Sequence, residues 1–257
     1  MKICRILLEE GPRYACEGDR GLELFPRGWS PGDEFPVTQG LETIPIDRSV
    51  SYLPPVTPSK IVCVGRNYAA HAKELNNPLP SEPLLFLKAP SALIADGEAI
   101  ELPARSSQVE HEGELGVVIG RECRSVSNGE DPFKYILGYV CVNDVTARDI
   151  QRHDVQFTRG KSFDTFCPVS RHIETVADPS DLGLQVLVNG ELKQEGRTSD
   201  MIFDIPFLIR YISDHMTLLP GDLIATGTPS GVSRLGPGDV CEVRIEGIGS
   251  LSNPVSG

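Results

Sequence analysis

The chain has 257 residues, of which 40% are apolar and 23% charged, enough to bury a sizeable core without disulfides or an obligatory partner. Its formal net charge of -12 argues against a nucleic-acid binder, whose affinity would rest on clustered Lys and Arg. An acidic surface also repels anionic ligands, so such a substrate needs a local cluster of positive charge, for which Arg66, Lys88, Arg148 and Lys161 are the candidates.

In chain order, the opening Met1-Lys2-Ile3-Cys4-Arg5 meets charge too soon for a signal peptide. No later run reaches the roughly 18–20 apolar residues of a membrane span. A cytoplasmic protein without membrane attachment is expected. Residues 1–55 alternate short apolar stretches with Gly and Pro and lead into Leu53-Pro54-Pro55-Val56-Thr57-Pro58. That proline density favours an extended linker, so 1–55 read as a small β-rich N-terminal module ahead of a main domain over 60–257. A short helix is expected over 68–75, with Asn67 as its cap and Asn76-Asn77-Pro78 as its stop.

From Lys60 onward the apolar runs are short, rich in Val and Ile, and bounded by turn residues, which predicts strands over 115–119, 136–142, 184–188 and 223–226. Asn189-Gly190 between two such runs predicts a hairpin. Asp204 followed by Pro206, with Ile205, Leu208, Ile209 and Ile212 at i, i+3, i+4 and i+7, predicts a capped amphipathic helix. Cys241, Val243 and Ile245 alternate with Glu242, Arg244 and Glu246, giving one buried and one wet strand face. The seven cysteines are scattered without a C-x-x-C pair and fit reduced thiols inside apolar runs. No internal repeat, P-loop or Gly-x-Gly-x-x-Gly fingerprint supports nucleotide binding.

Glu110, Glu112 and Glu114 run at period two into the apolar stretch Leu115-Gly116-Val117-Val118, so they share one strand face. Like charges so placed repel, and a divalent ion that prefers carboxylate oxygen would relieve them. Asp144, at the end of Val140-Cys141-Val142-Asn143, could complete such a site. The alternative is a solvated edge-strand face. Zinc is disfavoured, because no Cys or His pair shows ligand spacing and His111 points away from Glu112.

Six segments occur in a recognisable order. They are Val64-Gly65-Arg66-Asn67-Tyr68-Ala69-Ala70-His71, Phe86-Leu87-Lys88, His111-Glu112-Gly113-Glu114-Leu115-Gly116-Val117-Val118, Asn143-Asp144-Val145-Thr146-Ala147-Arg148-Asp149, Gly160-Lys161-Ser162-Phe163-Asp164 and Gly227-Thr228-Pro229-Ser230-Gly231-Val232. Together they resemble the fumarylacetoacetate hydrolase family over about 60–255, and 1–55 resemble the small extra module of some bacterial members.

The resemblance implies an α+β, mostly β fold, a layered mixed β-sheet roll with few short helices, and a homodimer. It implies one Mg2+ or Mn2+ per site, with Ca2+ able to take the same place in a crystal, held by Glu112, Glu114 and Asp144. Glu110 is left as an outer or surface acid. His71 and Glu74 match a catalytic pair on a lid helix, and Lys161 matches a substrate-facing lysine. Arg66, Tyr68, Lys88, Arg148, Gln151, Gly227 and Thr228 complete the expected substrate-binding set, although Arg148 is also a candidate scaffold partner of Asp149 or Asp144.

The implied activity is divalent-metal-dependent hydrolysis or decarboxylation of a C-C bond in a small 2-oxo or 1,3-dicarbonyl acid, of the acylpyruvate or oxaloacetate type, through an enolate held on the ion. The alternatives are a 2-hydroxyhepta-2,4-diene-1,7-dioate isomerase or decarboxylase of aromatic catabolism, and a non-catalytic metal- or ligand-binding protein.

Overall fold

Val- and Ile-rich runs bounded by glycine and proline become strands, and most of them enter one large sheet. The computed structural model describes residues 1–47, 50–74 and 78–257. The sheet has eleven strands among the described residues. Its order from one edge is Leu84–Lys88, Ile61–Gly65, Leu223–Ala225, Gly113–Ile119, Ile136–Asn143, His172–Glu174, Lys2–Leu8, Gly11–Gly18, Gly21–Leu24 and Thr43–Ile44, with Ser51–Leu53 also paired to Lys2–Leu8. Gly113–Ile119 is buried at every position and has a neighbour on each side. The solvated edge-strand alternative therefore does not hold for it.

A second sheet, Glu191–Arg197, Gly183–Val188, Val240–Ile245, Gly249–Ser256 and Ile100–Glu101, packs on the first. Asn189 and Gly190 turn its hairpin with φ of 53° and 80°, the two positive values that a type I′ turn requires. Cys241, Val243 and Ile245 are buried as their alternation predicts. The N-terminal strands keep a small core of their own, Cys4, Ile6, Ala15, Leu22 and Leu24, while Ile3, Tyr14, Cys16 and Phe25 face the main one. They join the large sheet where Lys2, Ile3 and Cys4 pair with Glu174, Ile173 and His172.

The helices are α1 (Ala69–Glu74), α2 (Arg148–His153), α3 (Thr158–Lys161) and α4 (Ile205–His215). None in the described residues is long and apolar enough to cross a membrane. In α4 the Asp204 carboxylate accepts from Phe207 N, and Ile205, Leu208, Ile209 and Ile212 are buried, as the spacing predicts. α1 departs from expectation at its start, because Asn67 is not its cap. The Asn67 amide is fully buried, donates to Phe203 O and Thr226 O, and accepts from Phe203 N. Long-range partners have claimed the group that a helix start would use. The expected helix end at Leu75 and stop at Asn76-Asn77 lie outside the described residues.

The two sheets meet closely over Gly113, where a Cβ would lie 2.2 Å from Val186 Cγ2 and 3.2 Å from Val243 Cγ1. Gly113→Ala is therefore expected to lower stability by about 1–3 kcal/mol through overpacking. It should also weaken divalent-metal binding, because Glu112 and Glu114 flank the displaced backbone. Thermal melts and a Mn2+ titration check both effects, and unchanged values in both would contradict this account of the sheet packing.

Candidate active site

Antiparallel register sets the acids side by side. Gly113 pairs with Asn143, and Asp144 N donates to Glu112 O at 2.8 Å. The residues just outside that pair, Glu112 and Asp144, thereby lie together, with Glu114 one strand step further in. One ligand oxygen from each of Glu112, Glu114 and Asp144 lies within 4.8 Å of the others, and all three residues are buried. Asn143 Oδ1 accepts from Glu112 N at 3.0 Å and holds the turn into the strand.

Buried cations brace two of these acids. Lys161, at the end of α3, donates to Glu112 Oε2 and Asp144 Oδ2, both at 2.7 Å. Arg148, at the start of α2, donates to Glu112 Oε1, to Glu110 Oε2 at 2.7 Å and to Gln151 Oε1 at 2.6 Å. Lys88 donates to Asp144 Oδ1 at 2.6 Å and Val145 O at 3.1 Å. Asp149 instead accepts from Ser106 and Ser107 ahead of α2, so the scaffold partners of Arg148 are Glu110 and Glu112.

Glu114 has no cation partner among the described residues. Its Oε2 accepts a hydrogen bond from Gly227 N at 2.8 Å. Burial, then the charges of Asp144 and Glu112, push its carboxyl well above the usual carboxylate range. Glu112 moves the other way. Burial opposes its ionisation, but Lys161 and Arg148 outweigh that and hold it well below the usual range. Four buried acids, Glu110, Glu112, Glu114 and Asp144, thus face three buried bases, Lys88, Arg148 and Lys161. The cluster is one positive charge short, and the shortfall falls on Glu114. An all-oxygen donor set with excess negative charge fits a hard divalent ion such as Mg2+ or Mn2+.

These groups open on a cavity of about 600 Å³, also lined by Arg66, His71, Glu74, Phe86, Gln151, Phe157 and Thr228. His71 is buried on α1, and its Nδ1 lies 3.1 Å from Glu74 Oε2. Glu74 Oε1 accepts from Gly231 N at 3.0 Å, tying the short helix to the loop after Thr228. With Nδ1 held by the carboxylate, Nε2 is the nitrogen left for proton exchange. Of the residues singled out in the sequence, Tyr68, Lys88 and Gly227 do not line the cavity. Lys88 stands behind Asp144 and Gly227 supports Glu114 through its N–H. The Tyr68 hydroxyl is buried without a hydrogen-bond partner among the described residues.

Gln194 was not legible as part of this region. It is fully buried, and its Oε1 accepts from Gly113 N and faces His111 Nδ1, both at 3.0 Å. Its Nε2 donates to Thr228 Oγ1 at 2.8 Å and Pro229 O at 2.6 Å. An N–H from Gly113 can only meet a carbonyl, so the atom facing His111 is an acceptor and Nδ1 carries the proton. His111 Nε2 then accepts from Ser233 Oγ at 2.8 Å. Burial keeps this ring below the usual histidine value despite that network, which suits a neutral strut. The one sequence signal for Gln194 was an amide between Lys193 and Glu195 in a hairpin strand.

A buried carboxylate triad lies under a polar cavity, framed by a mostly β fold with two large sheets. The model of the fumarylacetoacetate (FAA) hydrolase C-terminal family matches residues 60–256. The chain is 46% identical over 197 residues to the mitochondrial oxaloacetate tautomerase FAHD1 of Bos taurus, covering 74% of this chain and 89% of that one. It is 47% identical over 199 residues to the mitochondrial oxaloacetate decarboxylase of Dictyostelium discoideum, covering 75% and 91%. The crystal structure of 2-hydroxyhepta-2,4-diene-1,7-dioate isomerase from Mycobacterium marinum superposes with a TM-score of 0.88 at 43% identity, covering 100% and 98%. This chain belongs to the fumarylacetoacetate hydrolase C-terminal family.

Proposed function

We propose that the chain is a Mg2+- or Mn2+-dependent enzyme that decarboxylates an oxaloacetate-type 2-oxo acid. The observation that carries this reading is the buried triad of Glu112, Glu114 and Asp144, whose ligand oxygens lie within 4.8 Å of one another under the cavity. Those three residues would hold the ion. When bound, it would act as a Lewis acid toward the adjacent carboxylate and keto oxygens of a 2-oxo acid.

The chain's own residues supply the rest. Lys161, fixed beside Glu112 and Asp144, faces the same cavity and stabilises negative charge as it develops on the keto oxygen. The bond between C3 and the departing carboxylate breaks, carbon dioxide leaves, and the electron pair passes into the enolate of the remaining 2-oxo acid. His71, oriented by Glu74, delivers the proton that C3 then requires. Phe86 and Phe157, with ring centroids 5.5 Å apart, form an apolar wall that limits water around the enolate.

The dyad on α1 also favours a second reading, hydrolytic cleavage of an acylpyruvate. There His71 removes a proton from water, which adds to the distal carbonyl before the C-C bond breaks. An assay with Mn2+ separates these outcomes by following carbon dioxide release from oxaloacetate, pyruvate release from acylpyruvates, and an absorbance shift with dienedioates. Carbon dioxide release that EDTA abolishes and Mn2+ restores is the expected result. Turnover indifferent to chelator, or none on any of the three classes, would remove the proposal.

A further inference from the structure

Strand Glu191–Arg197 lies at an edge of the second sheet and is largely polar, with Gln194 as its one buried residue. Strand alternation would turn Leu192 and Gln194 to the same face. The structure separates them. Val186 pairs with Gln194 but Leu187 pairs with Leu192, so Lys193 is an extra residue and the strand bulges there. Apolar Leu192 is left 46% exposed while the Gln194 amide is fully buried, the reverse of what hydrophobicity alone favours.

Gly113 supplies the reason. Strand Leu223–Ala225 pairs with Gly116–Val118, and Thr226 N still reaches Leu115 O at 3.1 Å. Two residues further back, Gly113 presents its N–H and C=O to the same edge, where that strand has ended. Two side chains meet them instead. Gly113 N donates to Gln194 Oε1 at 3.0 Å, and Thr228 Oγ1 donates to Gly113 O at 2.8 Å. The threonine has then given its one proton, so it accepts from Gln194 Nε2 at 2.8 Å, and the three bonds close a ring. Pro229 O, an acceptor only, takes the second amide proton at 2.6 Å and independently fixes the same amide orientation.

The ring joins two parts of the site. On one side, Gly113 stands between Glu112 and Glu114. On the other, the turn that carries Thr228 also supplies Gly227 N to Glu114 Oε2 and Gly231 N to Glu74 Oε1. The edge strand seats that turn closely, because a Cβ on Gly231 would strike Lys193 O and one on Gly196 would lie 2.7 Å from Pro229 Cβ. Glu114 is therefore located twice through Gln194, by its own backbone and by the N–H that caps its carboxylate.

We propose that Gln194 is a positioning residue for divalent-ion binding, which holds Glu114 in register with Glu112 and Asp144 through the ring with Gly113 and Thr228. This rests on the reading of the three acids as the ion's ligands.

The test is a calorimetric Mn2+ titration of the full chain without substrate, which reads affinity and the number of sites separately. Gln194→Met keeps the side-chain volume and deletes the amide. It should weaken Mn2+ binding about 10- to 100-fold, the usual effect of losing a ligand's supporting partner, with the number of sites unchanged. Thr228→Val opens the same ring from the turn side and should also weaken Mn2+, whereas Thr228→Ser should bind like the native chain. The double variant Gln194→Met/Thr228→Val should bind no more weakly than the worse single one, because one ring can be opened only once. A residue that only stabilises the fold would instead lower the melting temperature and the number of sites at native affinity. That result, additive losses in the double variant, or Thr228→Ser no better than Thr228→Val would overturn the assignment of Gln194 alone. Should Gln194→Met fail to fold, the Thr228 variants decide, and native affinity in Thr228→Val would overturn it equally. Failure of the native protein to bind Mn2+ would overturn it together with the proposed function.

Discussion

Glu114→Gln is expected to abolish tight Mg2+ or Mn2+ binding while leaving the metal-free protein at least as stable as the native chain. Loss of a buried ligand normally harms both properties, but Glu114 lacks the cation that stabilises Glu112 and Asp144. It is buried between two other carboxylates, and its folded carboxyl sits well above the ordinary value of 4.5. Above that value the folded state holds protons that the unfolded chain has released. Stability attributable to Glu114 is therefore lost as pH rises from about 4.5 toward its folded pKa.

A neutral amide removes that loss and can still accept the Gly227 N–H, so the variant's stability should decline less over the same range. Glu112 is the opposite case. Its depressed pKa contributes stability above 4.5 that disappears on acidification. Glu112→Gln leaves Lys161 and Arg148 short of a buried partner and should cost about 3–5 kcal/mol. Metal affinity should fall in both variants by more than the roughly 10–100-fold seen when only a ligand's supporting partner is lost. Melts between about pH 5 and 8, with and without Mn2+, and a calorimetric titration distinguish the two. A Glu114→Gln protein that melts well below the native chain, or binds Mn2+ equally well, would show the charge accounting to be mistaken.

His71→Asn should separate metal binding from turnover. The His71 side chain hydrogen-bonds Glu74 and makes no hydrogen bond to the three acids that would hold the ion among the described residues. Mn2+ affinity and melting temperature should stay close to native, while kcat falls about 100- to 10,000-fold, the usual contribution of a positioned acid or base. Glu74→Gln should lose less, since the amide can keep the ring in place without its charge. A His71→Asn protein with near-native turnover would remove this side chain from the proton transfer, and one that fails to bind Mn2+ would make it part of the ion's environment.

What could be read in advance was local. The i, i+3, i+4, i+7 apolar spacing and the Asp204 cap give α4, and the period-two acids bring Glu112 and Glu114 together, although Glu112 lies just outside strand Gly113–Ile119 and Glu110 sits on a separate one, Val109–Glu110. Asp144 at a strand end could be proposed as their neighbour, but only the Gly113–Asn143 register brings it there. Long-range partners decided the remainder. Asn67 looks like a cap until Phe203 and Thr226, more than 130 residues away, take its amide. Lys88 and Lys161 are equally basic in the sequence, yet packing puts one behind Asp144 and the other at the cavity wall. Gln194 acquires its meaning from Gly113 on the other large sheet and from His111 just before it. Residues 1–55 suggested a separate unit, and the pairing of Lys2–Cys4 with 172–174 is invisible to any short window.

Strand Leu223–Ala225 lies between Ile61–Gly65 and Gly113–Ile119. During synthesis the wall that bears Arg66 therefore has no seat beside the acidic strand until Leu223–Ala225 has left the ribosome. A nascent chain halted before that point would carry Glu112, Glu114 and Asp144 without the Gly227 turn that caps Glu114. Seating of that wall and capping of Glu114 therefore wait on the same stretch of chain.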